Sequence, residues 1–248
     1  KMIRMYNFTG KKGNYYNISF IKFNYKCPKG TIDDSNKCYS ELESPNSVNE
    51  LYNNEKYSNL LNTVNKTEKA ISDADGYDAL QEYSEYGYID VSNDLRNGDT
   101  TNQISLQIDD IFKQDDARLI DNITVFRGIR IFKDDNSVDP KKESLLQSLK
   151  TKDSVINEKA FLSTSLISKV ADKFGEVKLI LDVPKGNKAI YIGKINSYIE
   201  DSEDEEGESQ GEAEMLLDRN QNIQITEPLK PNTDKKGRYI VRGIIKNK

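Results

Sequence analysis

Phe161-Leu162-Ser163-Thr164-Ser165-Leu166 sets three hydroxyls in a row inside an otherwise apolar segment. Strand alternation sends Ser163 and Ser165 to one face and Thr164 to the other. Buried hydroxyls need partners, which either a neighbouring strand or the chemistry of a site provides. The segment lies in the second of two regions with different periodicity. Residues 47–118 read as helical, with amphipathic patterns through Val48, Leu51, Tyr52, Leu60, Leu61 and Val64, through Ala79-Leu80, and through Ile104, Leu106, Ile108, Ile111 and Phe112. Breaks are predicted at Asp75-Gly76, near Gly87 and at Asn97-Gly98-Asp99. From Ile123 onward the pattern is one of short strands: 123–126, 161–163, 177–183, 189–192, 213–217, 223–226 and 239–245, with helices predicted at 141–149 and 168–174. Helices first and strands after them predict an α+β domain with segregated layers.

Residues 1–43 read as a small β and loop extension to a domain over 44–248. Tyr15 to Tyr25 alternates aromatic and β-branched residues, as a strand does, and Cys27 to Cys38 reads as a turn-rich loop. Those two cysteines form a disulfide in a secreted protein or stand as thiols in a cytosolic one. Ser44-Pro45-Asn46-Ser47 reads as a linker and helix start.

The 248 residues contain no histidine and two cysteines, which argues against a zinc site and excludes any histidine-based catalytic dyad or triad. The net charge of -5 argues against general nucleic-acid binding, and no apolar run reaches the length of a membrane span. The seven acids between Glu200 and Glu208 account for more than that charge, leaving the rest of the chain at +2. The run reads as a solvated loop or as a recognition loop for a basic protein surface.

Two further segments carry candidate chemistry. Thr124-Val125-Phe126-Arg127-Gly128 ends an apolar strand on a guanidinium that can grip phosphate through several donors, or is simply a surface arginine. Gly211-Glu212-Ala213-Glu214-Met215 spaces two carboxylates i, i+2, which on a strand puts them on one face roughly 6–7 Å apart. Such a pair suits acid/base and electrostatic work, or forms a polar strand face beside an acidic loop.

In order, Arg127, Ser163-Thr164-Ser165 and Glu212-x-Glu214 resemble the bacterial mono-ADP-ribosyltransferase toxins of the arginine, Ser-Thr-Ser, Glu-x-Glu class. Within that class the chain is similar, over about residues 48–248, to the catalytic domains of clostridial and bacillary actin-modifying binary toxins. The Tyr83 to Arg96 segment resembles the family's tyrosine-rich helix leading to Leu-Arg, and Val183-Pro184-Lys185-Gly186 its turn before the catalytic glutamate. Phe174, eleven residues after Ser163, resembles the family's aromatic against nicotinamide. Departures are Gly128 where some relatives have a second arginine, Glu176 and Val177 where a basic residue is common, and Ser92 where many have asparagine.

The resemblance implies N-terminal helices packed on a two-sheet β-sandwich, with NAD as substrate and no metal. It implies that Arg127 holds the pyrophosphate, that Gly128, Thr164 and Ser165 shape the pocket, and that Phe174, Tyr88 and Tyr83 lie near the nicotinamide. Glu214 stabilises the ribosyl cation, Ser163 positions Glu214, and Glu212 selects an acceptor arginine on a target protein, with actin a candidate. The implied setting is a secreted toxin acting in the target-cell cytosol, with or without a separate translocation component. A phage-encoded enzyme of the bacterial cytoplasm is the alternative. Alternative activities are an NAD glycohydrolase with little transfer, or a non-catalytic binding module on the same fold.

Overall fold

The computed structural model describes residues 31–34, 37–40, 44–133, 137–195, 212–232 and 237–246. The predicted strand from Tyr15 to Tyr25, Cys27 with any pairing to Cys38, and the acidic run Glu200 to Glu208 lie outside the described residues. The chain divides into two units, Lys1–Glu43 and Ser44–Lys248. In the first, β1 (Thr31–Asp34) and β2 (Lys37–Ser40) pair antiparallel with Ile32 opposite Tyr39. This corrects the reading of that stretch as loop throughout. Ile32 and Tyr39 are strand formers, but the polar residues around them mask the pattern.

The second unit opens with α1 (Val48–Asn53), capped as its sequence predicts. The Ser47 hydroxyl accepts from the Glu50 amide at 3.1 Å, and the Glu50 carboxylate reaches back to the Asn46 amide at 2.7 Å. Next come α2 (Ser58–Asp73), α3 (Tyr77–Glu82), α4 (Tyr88–Asn97) and α5 (Gln103–Lys113). The helix ends at Asn97, where Gly98 takes the left-handed φ of 91° that suits glycine. No break occurs at Gly87. Residues Tyr83–Gly87 form a π-helical turn that joins α3 to α4. Tyr83 at the start of this turn is buried, while Tyr86 within it is 82 % exposed.

The sheet consists of β3 (Ile123–Ile129), β4 (Val155–Glu158), β5 (Leu162–Ser165), β6 (Val177–Val183), β7 (Ala189–Tyr191), β8 (Glu214–Leu217), β9 (Gln221–Pro231) and β10 (Tyr239–Lys246). The order is β4-β9-β10-β6-β3-β5-β8-β7, antiparallel except for β10 and β6. Helices α6 (Glu143–Lys150) and α7 (Ser168–Ala171) lie between strands in the chain. The expected two separate sheets are instead one continuous ladder whose halves meet at a single pair, Phe126 opposite Ser165. β3 commits its other edge to β6 over its whole length, and β5 commits its other edge to β8. β3 and β5 share only that one pair before they diverge.

Helices α2 to α5 pack on the β5-β8-β7 half through Ile108, Ile111, Phe112, Phe161, Ile190 and Leu216, all essentially inaccessible to solvent. Phe161 stacks on Phe112 with ring centres 5.7 Å apart and meets Tyr83 edge-on at 6.1 Å. The five-stranded half buries Val125, Leu179, Leu181, Ile225 and Val241 together with Leu146 and Leu149 of α6.

Candidate functional site

The splay between β3 and β5 makes the site. Beyond the Phe126–Ser165 pair the backbone ladder stops, and the Arg127 guanidinium takes over by donating to the Ser163 carbonyl at 2.6 Å. A side chain thus satisfies a strand acceptor that has lost its neighbour. Burial pushes the Arg127 guanidinium down from its ordinary value, and the Glu158 carboxylate, Tyr83 and Glu214 oppose that shift. The guanidinium thus sits at the split in the sheet, bonded to a strand carbonyl and within the fields of two carboxylates.

Tyr83 reaches the same point from the helical layer. Its phenol is in hydrogen-bonding reach of the Ser163 and Ser92 side chains and within the fields of Glu214 and Arg127. Burial is the main cause of its raised pKa. Ser92, where the resemblance led to an expectation of asparagine, is buried and serves this phenol.

The three hydroxyls have distinct partners. Thr164 donates to the Met215 carbonyl at 2.6 Å and ties β5 to β8. Ser165 donates to the Glu212 carbonyl at 2.6 Å and accepts from the Ile167 amide at 2.9 Å, so one hydroxyl fixes both the exit of β5 and the entry to β8. In the ladder Ser165 stands opposite Glu214, and Ser163 opposite Leu216.

The carboxylate pair differs from its strand reading. Only Glu214 belongs to β8; Glu212 precedes it, and Ala213 between them has a left-handed φ of 43°. That conformation is uncommon outside glycine, and here Ala213 is fully buried and its carbonyl accepts from the Leu166 amide at 3.0 Å. Strand alternation therefore does not set the relation of the two acids. Glu214 is 8 % exposed, whereas Glu212 is half-buried. Burial raises the Glu212 carboxyl above its usual range, and the Lys173 charge opposes the rise.

Phe174 is half exposed just after α7, on the face of β3 and β6 that carries Gly128 and Lys178. Gly128 has a steric reason. A Cβ there would run into the Ala171 carbonyl and sit 2.8 Å from the Phe174 Cβ. Glu176, the second departure, accepts from the Ile131 and Phe132 amides at 2.5 and 2.9 Å. Tyr88 is half exposed at the first position of α4. The structure thus groups Tyr83, Arg127, Ser163 and Glu214, sets Glu212 at their edge, and places Phe174 on the adjoining turn.

Glu158 escaped the sequence reading, and so did the role of Arg96, which there only closed the tyrosine-rich segment. Arg96 donates in a bidentate fork to Glu158 at 3.0 and 3.1 Å, and both charges act on Arg127. Glu158 ends β4, an edge strand whose Val-Ile-Asn-Glu carries too few apolar residues to register as a strand.

The family model for the ADP-ribosyltransferase exoenzyme matches residues 49–248. No curated protein matches the chain. Among solved structures, the C3 exoenzyme of Clostridium limosum is similar at 21 % identity and a TM-score of 0.57, covering 78 % of this chain and 95 % of that one. The Plx2a ADP-ribosyltransferase toxin of Paenibacillus larvae is similar at 20 % identity and 0.53, over 75 % and 96 %. C3stau2 of S. aureus, solved with NAD, is similar at 19 % and 0.53, over 76 % and 96 %. At such identities these likenesses establish the fold, and the family model establishes the family. The chain belongs to the ADP-ribosyltransferase exoenzymes, bacterial mono-ADP-ribosyltransferase toxins whose substrate is NAD.

Proposed function

We propose that this enzyme transfers ADP-ribose from NAD to an arginine of a target protein, with Glu214 serving the donor and Glu212 the acceptor. The observation that carries this reading is the unequal burial of two acids separated by one left-handed residue. Nicotinamide is a cationic leaving group, and its departure leaves an oxocarbenium ion on the ribose. A buried carboxylate stabilises that charge where water cannot screen it. Glu214, with Tyr83, Ser163 and Arg127 around it, has that environment. Arg127 holds the pyrophosphate, Gly128 lets the adjoining turn close on β3, and Tyr88 and Phe174 flank the nicotinamide.

An acceptor arrives from solvent, where Glu212 is reachable. A guanidinium has a pKa above about 12 and is a poor nucleophile while protonated. A carboxylate orients it and assists loss of its proton, and the raised pKa of Glu212 makes it a better base than an ordinary glutamate. Glu212→Gln tests the assignment. With labelled NAD and a cell lysate, transfer to protein collapses while NAD hydrolysis survives. Equal persistence of both activities overturns it. Mass spectrometry of the labelled band, with actin as the first candidate, reads whether the adduct sits on arginine.

A further inference from the structure

β6 reads Val177-Lys178-Leu179-Ile180-Leu181-Asp182-Val183, and its one lysine is 4 % exposed. A cation this deep needs partners. The Lys178 ammonium lies 3.1 Å from the Asp172 carboxylate and donates to the Ser168 hydroxyl at 2.9 Å. Ser168 opens α7 and Asp172 follows its last residue, so one side chain rising from the sheet grips both ends of a single helical turn. An aspartate at a helix C-terminus opposes the helix dipole and is a poor choice on local grounds. Lys178 supplies the compensating charge.

The next residues, Lys173-Phe174-Gly175, are held from the other side as well. The Gly175 carbonyl accepts from Arg238, the Glu176 carboxylate accepts from two amides after β3, and a Cβ at Gly175 would strike the Ile129 backbone. Register puts Lys178 directly opposite Gly128, the residue over which the turn closes.

We propose that Lys178, Asp172 and Ser168 are positioning residues, a buried charged clasp that fixes the Lys173-Phe174-Gly175 turn against β3 and so presets one wall of the NAD site. The clasp touches no substrate; it acts through Phe174. The consequence for NAD rests on the placement of Phe174 in that site made above, whereas the clasp itself does not.

The test compares the full chain with Lys178→Met and with the double variant Lys178→Met/Asp172→Leu. The single variant leaves a buried carboxylate without its cation and loses thermal stability. The double variant removes both charges, and its melting temperature returns near that of the parent. Two readouts are then taken on the double variant. Trypsin cleavage after the exposed Lys173 speeds up about tenfold or more, because the turn has lost its hold. The KM for NAD in glycohydrolysis rises about tenfold while kcat stays within about twofold, because a misplaced wall weakens binding more than the chemical step. Unchanged cleavage at Lys173 in a double variant of parental stability overturns the clasp. Faster cleavage with an unchanged KM upholds the clasp and removes Phe174 from the NAD site.

Discussion

Two turns flank the split in the sheet, and they are held by different means. The turn after α7 is fixed by a buried ion pair, by carboxylate-to-amide bonds and by two glycines in close approach to backbone. Among the described residues, the turn before β8 is held by a serine hydroxyl, a backbone bond and a left-handed alanine. Charge holds the first and geometry the second. A wall for a small donor of constant shape suits a rigid anchor. The turn that carries Glu212, proposed above to meet a protein acceptor, has fewer fixed points among the described residues.

Variants of the two turns sharpen or break this contrast. The largest effect is expected from Glu214→Gln, which keeps the shape of the second turn and removes its buried charge. NAD cleavage falls about 10²–10³-fold in a nicotinamide-release assay, with little change in melting temperature. A loss under tenfold places the decisive charge elsewhere. Gly128→Ala attacks the first turn by steric means. Its methyl meets the Ala171 carbonyl, and unfolding in urea is expected to show a loss of about 1–3 kcal/mol. An unaltered denaturation midpoint shows that α7 can move away at no cost. Ser165→Ala removes the hydroxyl that joins Ile167 to Glu212 and costs about 1 kcal/mol. Protein transfer falls more than NAD hydrolysis, and equal losses would mean that the second turn serves both half-reactions.

The smallest effect concerns pH. Burial raises the Glu212 carboxyl from its ordinary 4.5. The folded chain therefore keeps a proton that the unfolded chain has released, and stability from this group falls as pH rises through that window. Glu212→Gln gains thermal stability at pH 7, and the gain vanishes below about pH 4, as parallel melting curves would record. A gain that is equal at both pH values assigns the effect to packing.

Much of this fold is legible in its strands. Val177 to Val183 reads as a strand because five of its seven residues are apolar, and the structure returns the same limits. The apolar runs around Phe126 and Phe161 likewise mark β3 and β5. The Arg127, Ser163 and Glu214 positions are recognisable by their order along the chain, and the fold brings Tyr83 to them. What escaped was non-local or non-periodic. The π turn at Tyr83–Gly87 leaves the helical alternation almost intact, so only the glycine draws notice, as a false break. The left-handed Ala213 has no composition signal, since alanine rarely adopts it. The Arg96–Glu158 fork joins residues 62 apart in sequence. Lys178 escaped too, although the pattern holds a signal for it. A lone lysine in an apolar strand announces a buried partner, although not which one.

The π turn also constrains how the chain can vary. An α-helix advances about 100° per residue, and a π turn stores one extra residue within a continuous helix. Deleting a residue between Tyr83 and Gly87 would let the segment heal into ordinary α-helix and preserve the hydrogen-bonded rod. The helix downstream would keep about its present orientation relative to α3, because the widened turn already absorbs the angle of the extra residue. Ser92 would still face the Tyr83 phenol, and Arg96 would still face Glu158. The helix pair therefore has one residue of slack at this turn, whereas a deletion within α4 would swing everything after it by about 100°.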